Sequence, residues 1–187
     1  MSGTIDELDK RILKSLNEDC RKSTTQIAKE SGASRPTVIA RIKHLSENRT
    51  VDFGAKLNLA KLGLKLASVT FKADESTGSQ QLIDKLKLCP RVLQLIQTVG
   101  KPEYTALIFV EDAETLISSI DCLQSFLAIN IASYQRVLPL IGDSFSLKIS
   151  PEKYTKTPCG KECGICLSYQ QFECAGCPDN SQYRGSI

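Results

Sequence analysis

The chain has 187 residues, 41% hydrophobic and 24% charged, which is ordinary globular composition with room for one large domain or two small ones and a tail. No run of about 18 apolar residues occurs, so no membrane-spanning helix is expected, and the acidic, polar start Met1-Ser-Gly-Thr-Ile-Asp-Glu does not read as a secretory signal, so a cytoplasmic location is expected. The net charge of +3 is uneven: residues 1–57 hold eleven Lys/Arg against eight Asp/Glu, whereas 58–150 and 151–187 are each neutral, so phosphate contacts are expected in the first third.

Three short helices are predicted there. The first starts at Thr4, with Glu7 completing a capping box, and carries Ile5, Leu8, Ile12 and Leu16 at helical spacing. The second runs from Ser23, with Gln26 at the matching cap position, to a Gly32 stop. The third starts at Ser34, holds Pro36 in its first turn and continues to about Glu47. The tight turn Ser31-Gly32-Ala33 makes the last two a helix-turn-helix. If Val38, Ile42 and Leu45 face inward, then Pro36, Thr37, Ala40, Lys43 and His44 face outward, with Arg41 on the flank and Arg35 at the N-terminus. Such a face suits the major groove, because Arg and Lys reach guanine edges or phosphates and a small Ala allows close approach. Pattern alone leaves an amphipathic helix of a bundle as the alternative.

The stretches Leu8-Asp-Lys-Arg-Ile-Leu-Lys-Ser-Leu16, Ile27-Ala-Lys-Glu-Ser-Gly32 and Ser34-Arg-Pro-Thr-Val-Ile-Ala-Arg-Ile-Lys-His-Leu45 resemble the helix-turn-helix of the Lrp/AsnC (feast/famine) regulators. The resemblance covers nearly all of residues 4–60. It implies a sequence-specific transcriptional regulator that reads double-stranded promoter DNA through Ser34, Arg35, Pro36, Thr37, Ala40, Arg41, Lys43 and His44. Two departures stand out: Arg35 intervenes between the cap serine and the proline, and Arg49-Thr50 replaces the usual glycine before the wing. Val51 to Leu57 would be the wing or linker strand, with Lys56 within reach of phosphate.

From Leu66 the period changes to two. Ala67, Val69 and Phe71 alternate with Ser68, Thr70 and Lys72, the pattern of a half-buried strand. A helix is predicted from Ser79 to Leu88 with Leu82, Ile83 and Leu86 inward, ended by Cys89-Pro90. Strands follow over Val92–Val99 and Tyr104–Val110. A second helix over Ala113–Leu127 turns Leu116, Ile117, Ile120 and Leu123 inward, and a last strand covers Ile131–Leu138. The order β-α-β-β-α-β is ferredoxin-like, giving an α+β chain with an N-terminal winged helix-turn-helix, a sheet domain and a cysteine-rich module.

The sheet domain of the resembled family assembles subunits, sheet against sheet, into homodimers and often tetramers or octamers. It also binds a small effector, usually an amino acid, at the Gly-rich turn between its second and third strands. In this chain that turn is Gly100-Lys-Pro-Glu103, so Gly100, Lys101 and Glu103 are the candidate effector residues, where the family usually has Gly-x-x-Asp. A dimerising sheet without a ligand is the alternative reading. Cys89 and Cys122 are expected in the core.

The expected domains are 1–57, 58–142, a polar linker 143–158 and a module 159–187. The module holds five of the eight cysteines, Cys159, Cys163, Cys166, Cys174 and Cys177, spaced C-x3-C-x2-C-x7-C-x2-C. It is too short to bury a core, and thiolates on C-x2-C turns, freed by Gly164 and Gly176, suit a metal. A disulfide-stapled tail is the alternative, disfavoured where thiols stay reduced. Four of the five cysteines satisfy tetrahedral Zn2+, and C-x3-C-x2-C plus a fourth equally suits a [4Fe-4S] cluster, with redox sensing as the consequence. A siroheme-decarboxylase-like enzyme shares the two-domain layout. That family uses histidines in its sheet domain, and the only histidine here is His44 on the third helix, so no enzyme is expected.

Overall fold

The computed structural model describes residues 5–73, 79–100, 103–127, 129–139, 142, 144–157 and 160–187. Thr4, Lys101 and Cys159, each given a role above, lie outside these residues. The chain divides into two compact units, one ending at Gly54 and the other running from Ala55 to Ile187.

The first unit is three helices: α1 (Glu7–Glu18), α2 (Thr24–Ser31) and α3 (Arg35–Glu47). The α1 cap differs from expectation. Asp6, not Thr4, is the N-cap; its carboxylate accepts from the Asp9 N–H at 2.8 Å while Asp9 reaches back to the Asp6 N–H. Ser23 caps α2, and Gly32 ends it at φ 70°, a left-handed turn that glycine takes without steric cost. Ser34 caps α3. Ile12, Ile27, Ala28 and Val38 are buried together, with Leu8, Leu16 and Ile42 packed around them. Each buried aliphatic side chain contributes roughly 1.5–3 kcal/mol, which is what holds three helices of marginal length in place.

Glu30 ties α2 to α1. Its carboxylate accepts from Lys22 Nζ at 2.8 Å and Ser15 Oγ at 2.6 Å. Lys22 and Ser15, helped by Gln26, hold its pKa down at about 2 and together outweigh the opposing effect of burial. A carboxyl depressed in the folded state stabilises above its unfolded pKa and loses that effect as pH falls through the folded value. The melting-temperature advantage of wild type over Glu30→Gln should therefore be constant above about pH 4.5 and close toward pH 2; an advantage unchanged at pH 2 would contradict this.

The expected wing strand is absent. Residues 52–56 are exposed coil, with Phe53 left 46% exposed although it alternates with Val51 and Ala55, and β1 (Leu57–Asn58) begins only at the end of the predicted range. Arg49 stands at φ 52° where the resembled family usually has glycine, so the left-handed turn is kept by a side chain that favours it less.

The second unit contains β2 (Lys65–Ala73), α4 (Ser79–Leu88), β3 (Val92–Gln97), β4 (Tyr104–Val110), α5 (Ala113–Leu127) and β5 (Ile129–Val137). The four strands are antiparallel in the order β3-β4-β2-β5. One face packs against α4 and α5 through Ala67, Val69, Phe71, Leu82, Leu86, Ala106, Ile108 and Ile120. Ile117, expected inward, is instead 55% exposed, because the stripe Leu116-Ile120-Leu123 leaves it off to one side.

The stretch expected as a linker belongs to this unit. Ser144–Phe145 form β6, which pairs antiparallel with β1. Phe145, Leu147 and the terminal Ile187 pack around buried Leu59, Leu64, Leu66 and Phe109, a second small core on the other side of the sheet. Lys148 Nζ donates to the carbonyl of Lys87 at the end of α4.

Candidate functional site

In the first unit, α3 buries Val38 and Leu45 and exposes Arg35, Pro36, Thr37, Ile39, Ala40, Lys43 and His44. The Ser34 hydroxyl accepts from the Thr37 N–H at 3.3 Å and meets Thr37 Oγ1 at 2.7 Å, fixing the first turn. Arg35 Nε donates to Thr24 Oγ1 at 3.2 Å, which orients its guanidinium along α2. His44 Nε2 lies 2.9 Å from Asn48 Nδ2, and Lys43 lies 3.7 Å from Glu47.

Arg41 is placed differently from the rest. It pairs with Asp6 at 2.7 Å and with the buried carboxylate of Asp9 at 3.4 Å. That pair holds α3 against the start of α1, so Arg41 is a positioning residue within the helical unit. Ile39 was missed by sequence reasoning; it is 45% exposed beside Ala40, an apolar spot on the outer face.

In the second unit the turn between β3 and β4 is closed by Thr98 N–H donating to the Glu103 carbonyl at 2.8 Å. Gly100 takes φ 103°, open only to glycine, and Glu103 is half-buried. Val99 beside it is fully exposed.

The cysteine-rich segment folds as a chain of tight turns. Cys163–Ile165 is a single 3-10 turn, with Cys166 N–H donating to the Cys163 carbonyl at 3.0 Å, and α6 (Leu167–Gln170) is one helical turn. Buried Asn180 bonds the Thr155 carbonyl, and Arg184 stacks over Tyr169 and Phe172 at 3.8 and 4.2 Å. Of the two glycines expected to free the turns, only Gly176 is left-handed, at φ 89°. A Cβ there would stand 3.2 Å from the Tyr169 ring, so Gly176→Ala should cost about 1–3 kcal/mol. Gly164→Ala would meet only the far end of the Gln182 side chain, at 3.0 Å, and should be close to neutral. Chemical denaturation of the two variants side by side checks this; equal midpoints would contradict it.

The segment is docked on α5 and the sheet edge. Ala175 N–H donates to Thr115 Oγ1 at 3.1 Å, and Ser118 Oγ donates to the Glu173 carbonyl at 2.9 Å. Arg91, 7% exposed, donates to the Gly176 carbonyl, to the Phe109 carbonyl at 3.2 Å and to Glu111 at 2.8 Å. Burial works against the Arg91 charge, but Glu111 more than offsets this and holds the guanidinium above its usual range. Tyr183 donates its hydroxyl to the other Glu111 oxygen, and burial followed by that bond pushes the phenol well up.

Between the segment, the ends of α4 and β3, and α5 lies a cavity of about 150 Å³. Cys163, Cys166, Cys174 and Cys177 line it, joined by Cys122 of α5 and by Cys89 just after α4, which also packs against the sheet core as expected. Burial pushes the Cys163 and Cys174 thiols up, partly opposed by backbone N–H groups of Cys177 and Gly176. Among the described residues no three His, Cys, Asp or Glu are gathered to hold a single metal ion. No described helix is long and apolar enough to cross a membrane.

A helix-turn-helix with an outward cationic helix, followed by a four-stranded sheet backed by two helices, defines a class of DNA-binding regulators. The model of the AsnC-type helix-turn-helix domain matches residues 5–46. The transcriptional regulator Ptr1 of Methanocaldococcus jannaschii is 30% identical over 113 residues, 60% of this chain and 76% of that protein. LrpA of Pyrococcus horikoshii is 33% identical over 117 residues, 62% and 83% of the two chains. The chain belongs to the Lrp/AsnC family of HTH-type transcriptional regulators. Its relatives are regulators rather than enzymes, which sets the decarboxylase alternative aside. In fold it is similar to the leucine response regulatory protein of Mycobacterium tuberculosis, with a TM-score of 0.68 at 19% identity over 74% of this chain and 96% of that one. It is likewise similar to a transcriptional regulator from Neisseria meningitidis in complex with L-methionine, with a TM-score of 0.62 at 23% identity over 78% and 97%. These four likenesses each leave a fifth or more of this chain uncovered.

Proposed function

We propose that the chain controls transcription by laying the outer face of α3 into the major groove of promoter DNA. The observation that carries this is the exposure of Arg35, Thr37, Ile39, Ala40, Lys43 and His44 around a helix whose Val38 and Leu45 are buried. Arg35 and Lys43 supply guanine or phosphate contacts, Thr37 a reversible donor, and Ile39 with Ala40 an apolar spot for a thymine methyl. Arg41 fixes the angle of the helix through Asp6 and Asp9.

A dimer is expected to present two such helices to a two-fold operator, and higher assemblies are compatible with the same surface. The sheet side carrying Thr70, Thr105 and 40%-exposed Ile96 supports pairing of subunits there. The Gly100 turn, with Glu103 half-buried next to it, is the proposed seat of an amino-acid-like effector. The solved relative bound to L-methionine supports that chemistry. The cysteine-rich segment is proposed to hold one thiolate-bound metal, Zn2+ or [4Fe-4S], that makes the regulator sensitive to metal or redox state; the support is the convergence of Cys163, Cys166, Cys174 and Cys177 on one cavity. Titrating the purified chain into its own upstream DNA at several salt concentrations tests the DNA reading. Binding that is selective against random DNA and weakens steeply with salt is expected.

A further inference from the structure

We propose that the cysteine-rich segment is a strap on the chain that leaves the helix-turn-helix. One of its turns is fastened to α5, and Ser186 and Ile187 close over Leu59–Leu64, so the segment sets how much free chain precedes the sheet. This rests on the DNA reading above and names the route by which a change at the cysteines reaches it.

The strapped stretch has little hold of its own. The first unit ends at Gly54, residues 52–56 are exposed coil, and β1 follows at Leu57–Asn58. β1 is held by one two-residue pairing with β6, and a 3-10 turn over Ala60–Leu62 joins it to β2. A stretch with so few backbone bonds opens at low cost unless something covers it. Residues distant in sequence supply the cover. Leu59 and Leu64 are buried, Ile187 packs against them, and Ser186 Oγ donates to the Leu62 carbonyl at 2.9 Å.

That cover is bonded back to the second cysteine turn. Ala175, between Cys174 and Cys177, donates its N–H to Thr115 Oγ1 of α5 at 3.1 Å. Its carbonyl accepts from the Arg184 N–H at 2.9 Å. One residue of the turn therefore holds α5 on one side and the approach to Ser186 on the other. Gly185 completes the path. A Cβ there would overlap the Tyr183 hydroxyl, which Glu111 holds in place, so glycine lets the chain pass that ring and reach Leu62. A rearrangement of the cysteine turn would thus shift Arg184 and draw Ser186 and Ile187 off the connecting stretch.

Release of β1 and the 3-10 turn would lengthen the free coil from 52–56 to 52–64. Effective concentration falls about as the −3/2 power of linker length, so helix-turn-helix units paired on a two-fold site should bind roughly fourfold more weakly.

The test is hydrogen exchange of the full chain, wild type against Gly185→Ala and Thr115→Val, beside affinity for the upstream DNA. The Leu62, Gly63 and Leu64 amides are bonded within the connecting stretch. In both variants they should exchange about tenfold faster while those of β4 stay protected. Thr115→Val nearly keeps the side-chain shape, removes the acceptor of Ala175 and lies outside the connecting stretch, so a loss of protection there is coupling carried by the strap. Exchange that is unchanged at Leu62–Leu64, or speeded only at residues 174–176, overturns the strap. Should Gly185→Ala fail to fold, Thr115→Val decides alone. A variant with the stretch loosened and DNA affinity unchanged overturns the strap's effect on binding. A wild-type chain with no selectivity for its upstream DNA sinks the DNA reading instead, and the exchange comparison still decides the strap.

Discussion

Replacing Arg91 by alanine is expected to destabilise the C-terminal unit by about 3–5 kcal/mol, the usual cost of breaking a buried ion pair from one side. Arg91 is enclosed between the sheet edge and the cysteine-rich segment, and its loss strips Glu111 of its cation and the Gly176 and Phe109 carbonyls of a donor. Glu111 keeps Tyr183, so its remaining oxygen is not abandoned altogether. Arg91→Met keeps the volume and the contact with the Phe109 ring while removing the charge, and should lose less. Urea denaturation of the three proteins reads the difference. Limited proteolysis reads its location, since cleavage should accelerate first within residues 150–187, where the docking bonds are lost. An Arg91→Ala protein with the wild-type midpoint would mean that the segment is held by something other than this guanidinium.

The second large effect concerns DNA. Arg35→Ala and Lys43→Ala remove exposed side chains that bury nothing, so the melting temperature should stay within a degree or two. Affinity for the operator should nevertheless fall. A residue that reads a base costs about 1–3 kcal/mol and relaxes selectivity at that position, whereas one that only meets a phosphate weakens all sequences alike and lowers the salt slope by about one. Comparing the two variants on operator and random DNA thus assigns each role. Arg41→Ala should behave differently again: its pairs with Asp6 and Asp9 are lost, so the helical unit should melt earlier and DNA affinity fall as a consequence. Unchanged affinity in the Arg35→Ala/Lys43→Ala double variant would contradict the placement of α3 in the groove.

Much of the fold was legible from the amino acids. Caps at Ser23 and Ser34, the stop at Gly32, the period-two run Ala67-Val69-Phe71 and the stripe Leu82-Leu86 are local signals, and the elements formed where those signals lie. What escaped was long-range. Strands of two residues, Leu57–Asn58 and Ser144–Phe145, carry no periodicity, so their pairing across the sheet unit could not be read and 143–158 looked like linker. Thr115 lies off the apolar stripe of α5 and drew no expectation, yet it is 1% exposed, because the backbone of a distant turn covers it. A backbone partner leaves no mark in side-chain pattern. Arg91 was invisible for the related reason that a cation is expected at the surface unless a specific partner waits inside. At the DNA face, the spacing turned Lys43 outward and put Arg41 on the flank, but it gave no sign that Arg41 is held by two acidic residues of the first helix and its cap.

Footprinting of the purified full chain on the DNA upstream of its own coding region tests the central claim most directly. The expected result is a protected, two-fold symmetric site whose occupancy falls steeply with salt and is lost in the Arg35→Ala/Lys43→Ala double variant. Uniform, unselective protection, or protection that survives that double variant, would contradict the assignment of α3 as the element that reads DNA.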